Sequence, residues 1–416
     1  MPFAALALIA AAGWSPTQSF DAGAAKFHEP VPRVAIDARG KALLAYETGD
    51  QRLVVRVRTG GRFGAPRVLA RNTLDYAVAP GAVAYEAKDG IHVAVRSGGG
   101  FKDRKVASST GSEINGVAIA ADPLGGWVVA ERQFPRKGSG KPYRVRALSL
   151  DAAGNPTSPP QDLGLGQFGL DARPTQALAV LPDGRAVLVF QREGVAYDDP
   201  DPVVYALRAH GGTFTEPAVV GDGLTDPRVT VDRERGAVLS ATMTTLCGDT
   251  SCAGQPRAIP LNPDGTLGAP TGPTVARPNR AFAPWAAPNA LVFQLKTKVK
   301  PFSREAPVRA ASLTRSGPLQ TLTKELASEP VALPLSGGRT LAVWTTRRGF
   351  GAALAGPDGV FAKRTAPAGP APEIYHSNPT NRDARSAGDY AIVAWSRGHT
   401  VRVSVRTFAE VARRDQ

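Results

Sequence analysis

The sequence predicts an all-β chain assembled from one repeated four-stranded unit, and three observations carry that expectation. Gly 44 and Pro 36 beside 43% hydrophobic residues describe a folded chain rich in turns, since disorder would need fewer apolar residues. Long amphipathic helical patterns are absent, and short Val/Ala/Leu runs alternate with Gly, Pro and Asp, the pattern of strands joined by tight turns. The third observation is a recurrence of one apolar pattern about every 50 residues. Length alone fits two or three ordinary domains or one large all-β domain; the repeat selects the single domain.

The first copy, Arg33–Ala70, reads as a strand, a Gly turn, a second strand, a short loop, a third strand, then Gly-Gly-x-Phe and a fourth edge strand. The order returns in "GAVAYEAKDGIHVAVRSGGGFKDRKVAS" from Gly81. It returns again around "GGWVVAERQ" with "YRVRALSLDAAGNP", and around "GRAVLVFQRE" with "PVVYALRAHGGTFTEPAVV". Further copies centre on "GAVLSATMT", "NALVFQLKT", "RTLAVWTT" and "YAIVAWSR". Second strands are expected to begin near Ala42, Ala82, Trp127, Ala186, Ala237, Ala290, Thr340 and Ala391. The units fall near 33–70, 76–109, 114–164, 173–222, 226–270, 279–324, 329–366 and 371–408. In "RLVVRVR", Leu53, Val55 and Val57 lie on one side and Arg52, Arg56 and Arg58 on the other, the two-residue period of a strand.

Such a unit cannot bury both faces alone, and stacking copies around an axis covers each face with the next copy. The fold expected is a β-propeller of four-stranded antiparallel blades, with eight blades favoured and seven the alternative if one unit is decorative. After "HTVRVSVRTF" the chain ends in the polar "AEVARRDQ", without a fourth strand for the last unit. The segment "PTQSFDAGAAKFHEP", within about residues 16–30, resembles the end of a unit and is expected to supply that strand. Closure by an N-terminal strand removes exposed sheet edges.

Residues 1–12 form a signal-like segment: the apolar run from Phe3 to Ala12 is too short to span a bilayer and resembles the hydrophobic region of a secretory signal, with small residues at Ala10–Ala12. It departs from that pattern in having no Lys or Arg ahead of it, the first being Lys26; a start codon further upstream would explain the gap. A secreted, extracellular protein is expected. No later segment has the uninterrupted length of a membrane helix.

With its "DxxG" turns and "VxVR" third strands, the repeat resembles bacterial secreted β-propellers of the sialidase-like and WD40-like groups. Sialidases carry an Asp-box, Ser-x-Asp-x-Gly-x-Thr-Trp, between third and fourth strands. The matching turns here are "SLDAAGNP" (Ser149–Pro156), "LNPDGTLG" (Leu261–Gly268) and "GPDGVFAK" (Gly356–Lys363). They keep Asp and Gly and lose the spacing and the Trp. The resemblance therefore implies a fold, and fold does not carry function.

In such a fold the loops from second to third strands share one rim with the loops that enter the next blade, and loops on a rigid scaffold hold most functional residues. Two are tight, "ETGDQ" and "AKDG". Four are long: Gln133–Tyr143, Arg192–Pro202, Thr244–Gln255 and Lys296–Pro307. The candidate binding residues are Arg136, Lys137 and Lys141 in the first, Asp198, Asp199 and Asp201 in the second, and Lys298, Lys300 and Arg304 in the fourth. The aspartates, with Glu193, are the place Ca²⁺ would take, since it prefers oxygen ligands; their spacing matches no EF-hand, and no cofactor is assigned. The cations pair with those carboxylates or hold an anionic ligand. Ring closure would gather His28, His376 and His399, and three imidazoles suit Zn²⁺, though ordinary surface histidines are the plainer account.

The formal net charge of +14 suits a partner carrying phosphates or carboxylates. Most arginines are scattered singly along strands, and no aromatic-rich basic segment offers bases a stacking platform, so specific nucleic-acid binding is not expected. No nucleophile elbow is present, although a Ser-His-Asp triad is recognised by geometry rather than order. The reading is a monomeric, non-enzymatic propeller binding a protein or an anionic cell-surface or cell-wall polymer through its loop rim. The alternatives are a sialidase-like glycan hydrolase, needing three Arg on a substrate carboxylate and a Tyr-Glu pair, and an intracellular WD40-like scaffold.

The stretch "MTTLCGDTSCAGQ" holds both cysteines, Cys247 and Cys252. A metal site needs more ligands than lie nearby, and a redox pair expects Cys-x-x-Cys at a helix start. A disulfide closing this small loop suits an oxidising compartment. Alkylation of the exported protein without reductant is expected to leave its mass unchanged; an added mass on either thiol would contradict the pairing.

Overall fold

A computed structural model of the chain describes residues 14–24, 30–73, 75–109, 113–134, 144–165, 176–192, 202–221, 223–247, 250–276, 280–296, 306–327, 330–346, 349–365 and 382–408. Every regular element in them is a β-strand, and the strands group into eight antiparallel units. Second strands run Ala42–Glu47, Ala82–Ala87, Trp127–Phe134, Ala186–Gln191, Gly236–Cys247, Ala290–Lys296, Arg339–Thr346 and Tyr390–Arg397. Each starts within one residue of the position read from the repeat. The apolar run and the turn before it fix that boundary locally.

The first strands are Arg33–Ile36, Tyr76–Ala79, Glu113–Ala121, Gln176–Val180, Leu224–Asp232, Arg280–Ala287, Val331–Leu335 and Arg382–Ala387. Each lies beside the next, and the last lies beside the first, so together they ring a common axis in a β-propeller. Among the described residues no ladder joins first strand to first strand, and side-chain packing does most of the joining; backbone contributes where Ala327 of the sixth unit pairs with Thr346 of the seventh and where Ser336 N–H donates to Gly388 O of the eighth (3.0 Å).

Eight apolar clusters, one in each seam between neighbouring units, do that joining. The second strand of the first unit shows how one strand serves two seams. Its Leu43 and Ala45 pack against Val83 and Tyr85 of the second unit, while Ala42, Leu44 and Tyr46 pack against Ile392, Ala394 and Val403 of the eighth. Successive side chains of a strand point to opposite faces, and here both faces are covered, so the run "ALLAY" is buried throughout. Burying each of its two leucines is worth roughly 1.5–3 kcal/mol.

The ring closes where the sequence places its closing strand. Gln18–Asp21 pairs antiparallel with the third strand of the eighth unit, Gln18 opposite Val403 and Asp21 opposite Thr400. Ser15 N–H donates to Val405 O (2.7 Å) and the Val405 amide donates back to Ser15 Oγ (3.0 Å). The same segment grips the first unit: Phe63 N–H donates to Gln18 Oε1 (2.9 Å), and Phe20 meets Phe63 edge-on while the Arg56 guanidinium lies 4.1 Å over its ring. A second tie crosses the seam nearer the axis. Asp383, in the last first strand, accepts the buried Val34 amide through Oδ2 (2.9 Å) and its neighbour's Ala384 amide through Oδ1.

The structure corrects one expected loop. The strands Gly236–Cys247 and Thr250–Leu261 stay paired to Cys247 opposite Thr250, so Thr244–Gln255 is mostly hairpin rather than irregular loop. Continuing the ladder satisfies backbone groups that a loop would leave to solvent. A β-carbon on Gly254 would stand 2.2 Å from Ala281 O, so this arm lies hard against the first strand of the sixth unit and only glycine fits. The hairpin sets the cysteines on opposite arms; their side chains lie outside the described residues.

Asp383→Ala is expected to lower the free energy of unfolding by about 1–3 kcal/mol, because it leaves the Val34 amide buried without an acceptor. Urea denaturation checks it, and a wild-type midpoint would show that Asp383 does not secure the seam.

Candidate functional site

The rim predicted to carry function is the end where first strands begin and second strands finish. The three loops holding Arg136, Lys137, Lys141, Asp198, Asp199, Asp201, Lys298, Lys300 and Arg304 lie outside the described residues, as do His28 and His376. His399 is exposed. Among the described residues, no three His, Cys, Asp or Glu side chains are grouped to hold a metal ion. No helix in them is long and apolar enough to cross a membrane.

At that end three of the first strands are irregular. Register shifts interrupt the third, fifth and sixth first strands between Ile114 and Val117, Thr225 and Arg228, and Phe282 and Trp285. Each shift contains a residue with positive φ: Gly116 (122°), Asp226 (55°) and Ala283 (49°). A bulge adds a residue, bends the strand and re-aims side chains. Glycine takes this conformation freely, whereas Asp226 and Ala283 hold it against steric preference, and such strain gathers at functional sites.

Around the bulges lies a belt of charged and amide groups. A β-carbon at Gly116 would stand 3.6 Å from both the Arg132 guanidinium and the Gln176 amide, and Gln176 Nε2 donates to Gly116 O (3.0 Å). Asp75, from the second unit, accepts the Val117 amide in the third (2.8 Å). Burial pushes its carboxyl above the ordinary value, and the charges of Arg33 and Arg132 and the accepted amides oppose that rise. On the far side, Arg228 lies 4.7 Å over the Trp285 ring while Trp285 Nε1 donates to Thr230 Oγ1 (2.9 Å). Further from the axis, fully buried Glu131 pairs with Arg146; burial raises its carboxyl and Arg146 opposes the rise.

This arrangement can orient a ligand through guanidinium forks, amides and an indole face. It gathers Arg33, Asp75, Arg132 and Gln176 on one side and pairs Arg228 with Trp285 on the other, none of which the sequence singles out. The available signal was polar residues closing otherwise apolar strands, as in "VVAERQ".

A second polar network lies at the opposite end of the strands. Asp122 Oδ2 accepts Arg208 Nη2 (3.0 Å) and lies 3.0 Å from His210 Nδ1. Arg208 Nη1 donates to Ser149 Oγ, and Nη2 also reaches Gly184 O (3.3 Å). Serine, histidine and aspartate meet here, yet the serine oxygen accepts from a guanidinium instead of donating to the imidazole. The network joins the third and fourth units; it does not activate a nucleophile.

No family model matches the chain, and no curated protein does. Its fold is similar to solved β-propeller-like structures. The crystal structure of Saccharomyces cerevisiae Sqt1 is 9% identical, over 94% of this chain and 98% of that one, with a TM-score of 0.52. BBS1N in complex with ARL6DN is 10% identical over 96% and 98%, with a TM-score of 0.45. A puromycin hydrolase is 14% identical over 92% and 61%, with a TM-score of 0.45. Likeness at these identities extends to the fold alone.

Between the ordinary Asp value of 3.8 and the raised value of Asp75, the native state holds a proton that the unfolded chain has released, so this group's contribution to stability falls as pH rises through that window. Asp75→Asn keeps an acceptor for the Val117 amide. The variant is expected to gain stability relative to wild type as pH rises above about 4; a pH-independent difference in urea midpoints would refute the assignment.

Proposed function

We propose that this chain is an exported, non-enzymatic β-propeller that binds a protein or an anionic cell-surface polymer at its loop rim. The observation that supports this reading is the set of three first-strand bulges, with Arg228 beside one of them lying over the Trp285 ring beside another. Guanidinium groups pair in a forked geometry with carboxylate, sulfate or phosphate, and Arg and Trp are the side chains that most often dominate binding. The net charge of +14 supports an anionic partner by drawing it in at long range. The signal-like leader and the expected disulfide support export.

The test is an array of anionic glycans, cell-wall polymers and acidic proteins, probed with the purified protein at low and high salt. Binding that weakens with salt is expected, and the double variant Arg228→Ala, Trp285→Ala is expected to lose affinity for its best ligand by tenfold or more, about 1.4 kcal/mol. Binding by the double variant at wild-type strength would move the site off this rim. Absence of any salt-sensitive binding would remove the reading.

A further inference from the structure

The outer strands of the first two units, Arg52–Thr59, Arg62–Phe63, Arg67–Arg71, Gly90–Ser97 and Gly100–Ser108, carry ten Lys and Arg and a single carboxylate, Asp103. These arginines look scattered along the sequence; the fold collects them on one wall. Register shows where they converge. Arg67 pairs with Val55, and Arg96 pairs with Phe101. Directly paired residues share a sheet face, and Val55 and Phe101 both belong to the apolar cluster that fills the seam between these units. Arg67 and Arg96 therefore project into the outer mouth of that seam. Arg62 joins them through its partner Thr59, which alternates onto the face of Val57. The Arg67 guanidinium indeed lies beside Gly100 of the second unit, 3.6 Å from where a β-carbon would stand.

The anions nearby are already committed. Asp103 accepts from Tyr85 Oη (2.7 Å) and lies 2.9 Å from His92 Nδ1. Asp89 lies 3.0 Å from His92 Nε2 and 3.2 Å from Lys105 Nζ, and Asp50 holds Arg52 (2.6 Å). By contrast, the side chains of Arg62, Arg67, Arg71, Arg96 and Lys102 make no hydrogen bond or ion pair among the described residues, and all five are exposed.

We infer that the outer mouth between the first and second units, lined by Arg62, Arg67 and Arg96, is a docking surface for an anionic polysaccharide. Charge complementarity requires a polyanion, and the wall's lack of apolar anchors decides against a protein. Val68 is the one large apolar side chain exposed on these two units among the described residues, whereas protein interfaces seat aromatic or aliphatic anchors in pockets. Cations spaced along strands at roughly 3.3 Å per residue match a hydrophilic chain with repeated sulfates or carboxylates, each able to take a forked arginine contact. The inference rests on the proposed binding role and adds a surface away from the bulged rim.

Three proteins decide it: wild type, a wall variant (Arg62→Gln, Arg67→Gln, Arg96→Gln) and the rim variant (Arg228→Ala, Trp285→Ala). Affinity for dextran sulfate, polygalacturonate, polyglutamate and neutral dextran is measured across a salt series, with urea midpoints confirming folding. Wild type is expected to bind dextran sulfate or polygalacturonate and not neutral dextran. The wall variant is expected to lose at least tenfold and to show a shallower salt dependence, and the rim variant reports separately on any polymer held at the rim. A charge-retaining variant (Arg62→Lys, Arg67→Lys, Arg96→Lys) is expected to keep the salt dependence. The wall assignment is overturned, with rim binding intact, if only the rim variant loses polymer. It is also overturned if the wall variant binds as wild type, or if polyglutamate binds more tightly than either polysaccharide. Failure of wild type to bind either polysaccharide overturns the wall assignment outright, while retained rim-dependent binding of a protein would leave the rim reading standing.

Discussion

A four-stranded sheet with apolar side chains on both faces is satisfied only when another sheet covers each face, and in this chain the cover is always the next unit. That constraint makes the ring a single object. Eight seams, each with its own apolar cluster, stay shut only if the last unit meets the first. The closing seam is accordingly tied at its periphery by the Gln18–Asp21 strand and near the axis by Asp383 on the Val34 amide. The two ties complement each other: a ladder supplies many modest hydrogen bonds, while one buried carboxylate holds an amide that would be costly to leave unpaired.

Closure also sorts polar groups by position. The middle of each seam is apolar, and charge is left to three places: the rim ends of the first strands, the opposite turns and the outer edges. At the first, Arg33, Asp75 and Arg132 tie consecutive units through electrostatics that burial strengthens. At the second, Asp122, Arg208 and Ser149 knit a turn to its neighbour. At the outer edges the groups stay in water and retain charge free for a partner, which separates the wall of the first two units from the internally matched networks.

Much of the architecture was legible because it is written in local period. The two-residue alternation in "RLVVRVR" and the recurrence of Gly-bounded apolar runs placed second strands to within one residue. The incomplete last unit pointed to the closing strand. The candidate site was much less legible. Loop length directed attention to segments such as Lys296–Pro307, whereas the bulges at Gly116, Asp226 and Ala283 arise from how strands fit around an axis. No period in the sequence records a single extra residue in a ladder. The "CGDTSC" stretch shows the same limit, since length read as loop while ladder pairing carried the strands as far as Cys247 and Thr250.

The sequence by itself determined the repeating sheet, its strand order and the need for closure, because alternation and turn chemistry act between residues near in the chain. The tertiary structure alone decided which distant residues meet. Asp75 reaches Val117, Asp383 reaches Val34, and arginines dispersed from Arg62 to Arg96 converge on one seam, because inter-unit packing, not chain proximity, sets those distances.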